Sequence, residues 1–122
     1  MDKFTIMQCN IQSIQKHKEE LHRTLMTGSY SAAFISETWT KEEHEQKHIY
    51  NISGYNKILK SRDDGYGGVG IYLRKEYGFQ PVQINVTSEQ IQCVAIKVIL
   101  LNLVLVAIYI SPSINLINTN SK

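Results

Sequence analysis

A run of apolar residues near the end of the chain constrains the fold more than any other feature. From Ile91 to Ile110, seventeen of 20 residues are apolar, and the exceptions are Gln92, Lys97 and Asn102. Twenty helical residues would cross a bilayer of about 30 Å, but a central lysine costs about 2.5–3.5 kcal/mol on insertion. Nine of the 20 are Val or Ile, which favour strands. The run therefore predicts two buried strands, 91–99 and 102–110, joined by a tight turn, and no membrane span.

The length and composition of the chain exclude several classes of protein. The chain has 122 residues, the size of one domain. Thirteen Lys and Arg against 11 Asp and Glu leave a formal charge of +2, which excludes a strongly basic nucleic-acid binder. A hydrophobic fraction of 43% excludes overall disorder. Cys9 and Cys93 both lie in apolar runs, so we expect two buried free thiols and no disulfide scaffold.

Periodicity predicts one long helix among many strands. Ser13 is a suitable N-cap, apolar residues recur at helical spacing over 14–27, and Gly28 is a good stop. A short helix is expected across 42–48. Besides the pair described above, strands are predicted at 3–10, 32–36, 55–61, 69–74 and 82–86. This order indicates an α+β fold with one long, mostly antiparallel sheet and one helix to cover it.

Two polar residues stand where predicted strands end. Asn10 follows the apolar lead-in of the first strand and is either a turn residue or part of a site. Glu37 directly follows Ala-Ala-Phe-Ile-Ser, where a buried strand emerges. A carboxylate there is costly unless it is paired, protonated or bound to a cation, although an exposed loop glutamate that ends the strand is the simpler alternative. Mg²⁺ is held by one or two such carboxylates together with waters and substrate phosphates.

The segment from Arg62 to Gly70 is rich in glycine. It is not a dinucleotide-binding fingerprint, because Ile71-Tyr-Leu continues as a strand where that fingerprint requires a helix. We interpret it as a hairpin whose glycines permit positive φ. Arg62 at its start either meets a phosphate or lies solvated.

Two further groups of residues were considered as site candidates. Tyr109 leaves the last strand three residues before Pro112, and it either projects its hydroxyl into a cleft or fills the edge of the core. His44 and His48 have a spacing of four residues, but no third ligand is evident, so the sequence does not predict a zinc site.

Four of these segments, in order, resemble the endonuclease/exonuclease/phosphatase superfamily. Phe4–Ser13 is similar to its opening strand and Ala33–Trp39 to its second motif. Arg62–Ile71 is similar to the glycine hairpin of the apurinic-endonuclease-like domain of non-LTR retrotransposons, and Tyr109–Pro112 to its Tyr-x-x-Pro strand end. The resemblance covers nearly the whole chain and implies one half of a four-layer α/β sandwich.

The resemblance also implies a reaction. Asn10 and Glu37 would help to bind Mg²⁺, Tyr109 would hydrogen-bond the scissile phosphate, and Arg62 would contact the substrate. The family hydrolyses phosphodiesters, here of DNA, by attack of an activated water on phosphorus. An intracellular location follows, and a nuclear one if the chain belongs to a retrotransposon protein.

The sequence departs from the family pattern in its second half. The family needs an Asp-x-Asn pair and an Asp-His pair there, but no acid follows Glu89 and no histidine follows His48. We therefore expect residues 1–112 to form the N-terminal half of such a domain, with 113–122 as a tail, and the fragment to be inactive alone. The alternative is a non-catalytic module that binds DNA or protein. With a second sheet missing, one apolar sheet face would be left open to water, which predicts self-association.

Overall fold

The computed structural model describes residues 3–62 and 64–111, and the predicted tail 113–122 and Pro112 lie outside these ranges. The described residues form an α+β fold, which confirms the predicted class. Two single-turn 3₁₀ helices, Glu42–His44 and His48–Tyr50, occupy the region where a short helix was expected. The longer elements are β1 (Ile6–Asn10), α1 (Ile14–Gly28), β2 (Ala32–Ser36), β3 (Tyr55–Lys60), β4 (Val69–Arg74), β5 (Phe79–Val82), β6 (Ile91–Val98) and β7 (Leu103–Ile110).

The strands form two sheets, whereas the sequence predicted one. The first sheet has the order β1-β2-β4-β3, in which β1 and β2 are parallel and the other pairs antiparallel. The second sheet is antiparallel, with the order β5-β6-β7. One helix is too small to cover a seven-stranded sheet that is apolar on both faces. Folding the last three strands back over the first four buries that apolar surface instead.

The two core clusters lie on opposite faces of the first sheet. On one face, Leu21 and Leu25 of α1 pack against Ala33, Ile35 and Tyr72. On the other face, side chains of both sheets interdigitate, and this cluster consists of Ala32, Val69, Ile71, Leu73, Ile96, Val98, Leu105 and Ala107. The described residues therefore form three layers: α1, the first sheet and the second sheet.

The ends of α1 follow the predicted signals. The hydroxyl of Ser13 accepts a hydrogen bond from the backbone N–H of Lys16 at 3.1 Å. The helix ends at Gly28, and Ser29 caps it in the left-handed conformation, donating to the carbonyls of Leu25 and Met26. Capping at both ends fixes the helix over the first sheet.

The apolar run forms the predicted hairpin. Ile91 of β6 pairs with Ile110 of β7, and the turn between the strands contains Asn102 at a φ of 50°. Within residues 3–62 and 64–111, no helix is long and apolar enough to span a membrane.

Two expectations require correction. The strand predicted at 82–86 is instead Phe79–Val82, because Phe79 packs into the core whereas Ile84 and Val86 are exposed. Cys9 and Cys93 are free thiols as expected, but each is only half-buried.

One face of the second sheet is not covered by the described residues. Along β7 the inward side chains of Leu105 and Ala107 are buried, while the outward side chains alternate with them and are exposed; these are Val104, Val106, Ile108 and Ile110. The sequence predicted an open face because no second sheet was expected; the second sheet in fact covers that surface of the first, and the exposed apolar side chains lie on the second sheet. We call this surface the outer face of β7.

Candidate functional site

Three strand ends bring the candidate residues together. β1 and β2 are parallel neighbours in the register Asn10 opposite Ser36, so Asn10 and Glu37 leave the sheet at the same edge. Tyr109 lies one residue before the end of β7, in the sheet that packs over the first. The site therefore lies where both sheets end.

Glu37 is the hydrogen-bonded centre of this group. Its Oε2 accepts a hydrogen bond from Nδ2 of Asn10 at 3.1 Å and another from the hydroxyl of Tyr109 at 2.9 Å. Residues separated by 27 and 72 positions in the chain thus meet at one carboxylate oxygen. Two neutral donors stabilise the charge of Glu37 at the exit of its strand.

Tyr109 remains a hydrogen-bond donor over a wide pH range. Burial, followed by the hydrogen bond to Glu37 and the charge of Glu37, raises the pKa of Tyr109 to about 12. The charge of Arg62 acts in the opposite direction. At neutral pH the phenol is therefore protonated and can donate to Glu37 or to an incoming anion.

The backbone at Glu37 adopts an uncommon conformation. Glu37 has a φ of 55° and Trp39 a φ of 54°, values in the left-handed region that non-glycine residues seldom adopt. The N–H of Glu37 donates to the carbonyl of Gly68 at 2.8 Å, and the N–H of Trp39 donates to that of Gly67 at 3.0 Å. Three residues thus face two glycines, as in a β-bulge, a feature that often re-aims side chains next to a functional site.

The glycine hairpin holds this bulge. It joins the antiparallel strands β3 and β4, as predicted from its sequence. Gly68 has a φ of 90°, and a Cβ there would lie 2.2 Å from Oγ1 of the buried Thr38, so no larger residue fits. The N–H of Gly68 donates to Oε1 of Gln92 at 2.7 Å.

Gln92 was not predicted as part of the site. Its side chain is buried, and it links the hairpin to β6. A signal did exist in the sequence, because Gln92 is one of three polar interruptions of the apolar run. A buried polar side chain in a strand needs a partner, and here the partner is the hairpin backbone.

Arg62 lies beside the group without a described contact to Asn10 or Glu37. Its guanidinium forms an ion pair with Asp64 at 3.1 Å and donates to the hydroxyl of Ser111 at 3.2 Å. Ser111 directly follows β7, two residues after Tyr109, so the guanidinium lies at the same end of that strand. A positive charge therefore flanks the site on the side of β7.

The donor set at the site fits a hard cation. Since Asn10 donates through Nδ2 and both hydrogen bonds reach Oε2 of Glu37, Oδ1 of Asn10 and Oε1 of Glu37 are the oxygens suited to a cation. One carboxylate and one amide oxygen are hard ligands of the kind that Mg²⁺ prefers. Among residues 3–62 and 64–111, no group of three His, Cys, Asp or Glu is arranged to bind a metal.

An aromatic pair next to Glu37 was also not predicted as part of the site. The rings of Trp39 and Tyr66 have centroids 5.6 Å apart and are inclined at 77°. Both side chains are exposed. The sequence placed Trp39 two residues after Glu37, but the contact with Tyr66 depends on the pairing of two loops.

Comparison with solved structures identifies the fold. An AP endonuclease from Archaeoglobus fulgidus is 17% identical over 80% of this chain and 38% of its own, with a TM-score of 0.63. The endonuclease domain of TRAS1, a telomere-specific non-LTR retrotransposon, is 20% identical over 90% of this chain and 47% of its own, with a TM-score of 0.60. A mannosyl-6-phosphatase from Bacteroides thetaiotaomicron is 14% identical over 85% of this chain and 49% of its own, with a TM-score of 0.55.

These likenesses show an endonuclease/exonuclease/phosphatase fold that is AP-endonuclease-like and partial. The chain spans between 38% and 49% of the length of these structures. No protein-family model matches the sequence, and no curated protein matches it either. Because a phosphatase shares the fold with the nucleases, the fold alone does not specify a substrate.

Proposed function

We propose that this chain carries the first half of a metal-dependent site that hydrolyses phosphodiester bonds of DNA. The observation that carries the proposal is the convergence of Asn10 and Tyr109 on Oε2 of Glu37. The nuclease-like fold supports this reaction class, and the likeness to TRAS1 supports an origin among retrotransposon endonucleases.

Asn10 and Glu37 would hold the cation, which we propose to be Mg²⁺. When bound, Mg²⁺ would stabilise the negative charge that develops on the phosphate and on the leaving 3′ oxygen. Glu37 would supply a carboxylate oxygen and Asn10 its amide oxygen, and waters and the substrate phosphate would complete the coordination.

Tyr109 and Arg62 would orient the phosphate. A phenol with a pKa of about 12 is a neutral donor at physiological pH, so Tyr109 can donate to a phosphate oxygen without losing its proton. The guanidinium of Arg62 would attract the same phosphate, because a planar cation with several N–H donors matches that anion. Its ion pair with Asp64 holds it in place beside the site.

The sequence lacks the Asp-x-Asn and Asp-His pairs that the resemblance implies for the chemical step. After Glu89 it contains no acid and no histidine, and among residues 3–62 and 64–111 no group of three His, Cys, Asp or Glu is arranged to bind a metal. Hydrolysis needs a group that orients and deprotonates water and another that protonates the leaving oxygen. We therefore propose that these 122 residues do not cleave DNA by themselves.

A plasmid-nicking assay tests this part of the proposal. We expect supercoiled plasmid to remain intact when incubated with the full chain and Mg²⁺. The Glu37→Gln variant serves as the matched control, because it removes the carboxylate charge and keeps the size. Metal-dependent nicking by the chain that disappears in Glu37→Gln would contradict the half-site.

Metal binding tests the site directly. We expect Mg²⁺ to bind with a dissociation constant in the millimolar range or weaker, since a site with few charged ligands binds weakly. Mn²⁺ should selectively broaden the NMR signals of Asn10 and Ser36, and Glu37→Gln should abolish this broadening. Glu42→Gln, which changes an exposed glutamate in a 3₁₀ helix, is the control and should leave it unchanged.

Two results would contradict the proposed metal site. Micromolar affinity in a calorimetric titration would mean that the site is more complete than proposed. Equal broadening in Glu37→Gln and the original chain would mean that the cation binds elsewhere.

The outer face of β7 favours a second candidate function, a non-catalytic module. Four exposed Val and Ile side chains point away from the core along this edge strand. Such a surface is suited to protein association, so self-association through it is the partner interaction we propose beside DNA binding.

A further inference from the structure

Trp39 and Tyr66 differ from every other aromatic residue of the chain. Trp39 is 37% exposed and Tyr66 is 61% exposed, whereas the remaining aromatic side chains are buried or half-buried. Neither ring belongs to either core cluster. Large rings that do not contribute to the core are typical of binding surfaces.

The contact between the two rings uses little of their flat surface. Trp39 and Tyr66 meet edge to face, with an interplanar angle of 77°. In this arrangement the edge of one ring contacts one face of the other, so the contact uses at most one of the four faces. A flat ligand can therefore stack on the pair without breaking the contact between the rings.

Hydrogen bonds hold the backbone that carries both rings. The N–H of Trp39 donates to the carbonyl of Gly67, the residue after Tyr66, at 3.0 Å. The N–H of Tyr66 donates to Oδ1 of Asp64 at 2.9 Å. The left-handed φ of Trp39 is held by the same bulge that holds Glu37. A preorganised surface of this kind loses little conformational entropy on binding.

Trp39 lies close to the candidate site along the chain. Trp39 is two residues from Glu37, so their Cα atoms are separated by at most about 7 Å. Stacked nucleotides in a strand rise about 3.4 Å each. That distance corresponds to about two such steps, so a base close to the cleaved phosphate is within reach of the aromatic pair.

Two basic side chains lie at the hairpin that carries Tyr66. The aliphatic part of Lys41 lies against the hairpin, with Cε 3.1 Å from the position of a Cβ on Gly65. Arg62 begins the same hairpin and pairs with Asp64. Exposed aromatic rings next to basic side chains are the combination that binds single-stranded nucleic acid, by stacking on bases and attracting phosphates.

We propose that Trp39 and Tyr66 stack on an unpaired nucleobase next to the phosphate that Tyr109 and Arg62 orient beside Glu37. The inference rests on the proposed function, since it takes DNA as the substrate. It adds a requirement to that function: the nucleotide beside the cleaved bond is unstacked from its neighbours, because a base in an intact duplex does not expose its face.

Trp39 is the single tryptophan of the chain, so tryptophan fluorescence reports directly on whether a base stacks on it. The full chain in EDTA is titrated with a single-stranded oligothymidine and, separately, with an abasic phosphodeoxyribose strand of the same length. We expect oligothymidine to quench the tryptophan fluorescence and the abasic strand to bind without quenching it. Fluorescence anisotropy of labelled strands measures binding independently of the tryptophan signal.

Variants separate stacking from phosphate contacts. Trp39→Ala and Tyr66→Ala should each weaken oligothymidine binding by about 5- to 150-fold, and should leave binding of the abasic strand unchanged. Trp39→Phe, which keeps a ring, should restore most of the affinity. Met26→Ala, which removes an exposed apolar side chain from α1, is the control and should have no effect. Circular dichroism establishes that each variant is folded.

Three other outcomes would each overturn the inference, and each has a different meaning. If oligothymidine and the abasic strand bind equally and neither quenches Trp39, the stacking proposal is wrong and DNA binding stands. If the alanine variants weaken the binding of oligothymidine and of the abasic strand equally, the rings support the loops and do not contact a base. If neither strand binds the original chain in EDTA or in Mg²⁺, the stacking proposal and the proposed function both fail.

Discussion

Glu37 shows how a single carboxylate can be tolerated at the end of a buried strand. Asn10 and Tyr109 donate to the same oxygen, so the charge is stabilised by neutral groups that a ligand can replace. The bulge that fixes the backbone of Glu37 holds φ at 55°, a conformation that costs about 1–3 kcal/mol for a residue other than glycine. Hydrogen bonds to Gly67 and Gly68 offset this cost and aim the side chain.

The Glu37→Gln substitution should lower the pKa of Tyr109. In the native chain burial, the hydrogen bond to Glu37 and the charge of Glu37 raise this pKa from 10 to about 12. Because burial remains in the variant, we expect the pKa to fall toward 10 without reaching it. A pH titration of ¹³C-labelled tyrosine by NMR measures the change, and Glu42→Gln should not move it.

The same shift has a consequence for stability. Because the folded-state pKa of Tyr109 lies above the unfolded value, its contribution is fully present below pH 10 and is lost as the pH rises through about 12. Between pH 10 and about pH 12, the free energy of unfolding measured in urea should therefore decrease more in the native chain than in Glu37→Gln. A Tyr109 pKa that is identical in both proteins would show that the phenol and the carboxylate do not interact.

At the scale of elements, the sequence predicted those features that are encoded locally. The helix ends could be found because Ser13 and Gly28 have specific conformational preferences. The hairpin of β6 and β7 could be found because a lysine interrupts an apolar run that is rich in β-branched residues. Asn10, Glu37 and Tyr109 stood out as candidates because each is a polar group at the end of an apolar strand.

Features that depend on pairing between distant segments could not be found in this way. The alternation of Val82, Ile84 and Val86 is typical of a strand, yet β5 ends at Val82 because Phe79 sets its pairing with Val98 of β6. The contact between Trp39 and Tyr66 likewise follows from the hydrogen bonds between two loops. Nothing in either local sequence specifies such a partner.

At the scale of the molecule, the second sheet was the largest departure from expectation. Strands that are apolar on both faces are compatible with a single sheet, because periodicity does not specify which sheet a strand joins. In the structure β6 covers the first sheet with Ile96 and Val98, and β7 presents an apolar outer face. Among residues 3–62 and 64–111, β7 is also an edge strand, and it carries no charged residue and no proline from Leu103 to Ile110.

The isolated chain should self-associate through the outer face of β7. Edge strands without charges or proline readily pair with other chains. Covering ~600 Å² of apolar surface at about 25 cal/mol per Å² would contribute roughly 15 kcal/mol before entropic losses. Light scattering at micromolar concentration should detect oligomers, and Ile108→Lys should shift them toward monomer. Ile84→Lys, at an exposed site outside the strands, is the matched control. A folded monomer that binds no hydrophobic dye would contradict the predicted self-association, because an open apolar face of that size should bind both the dye and a second chain.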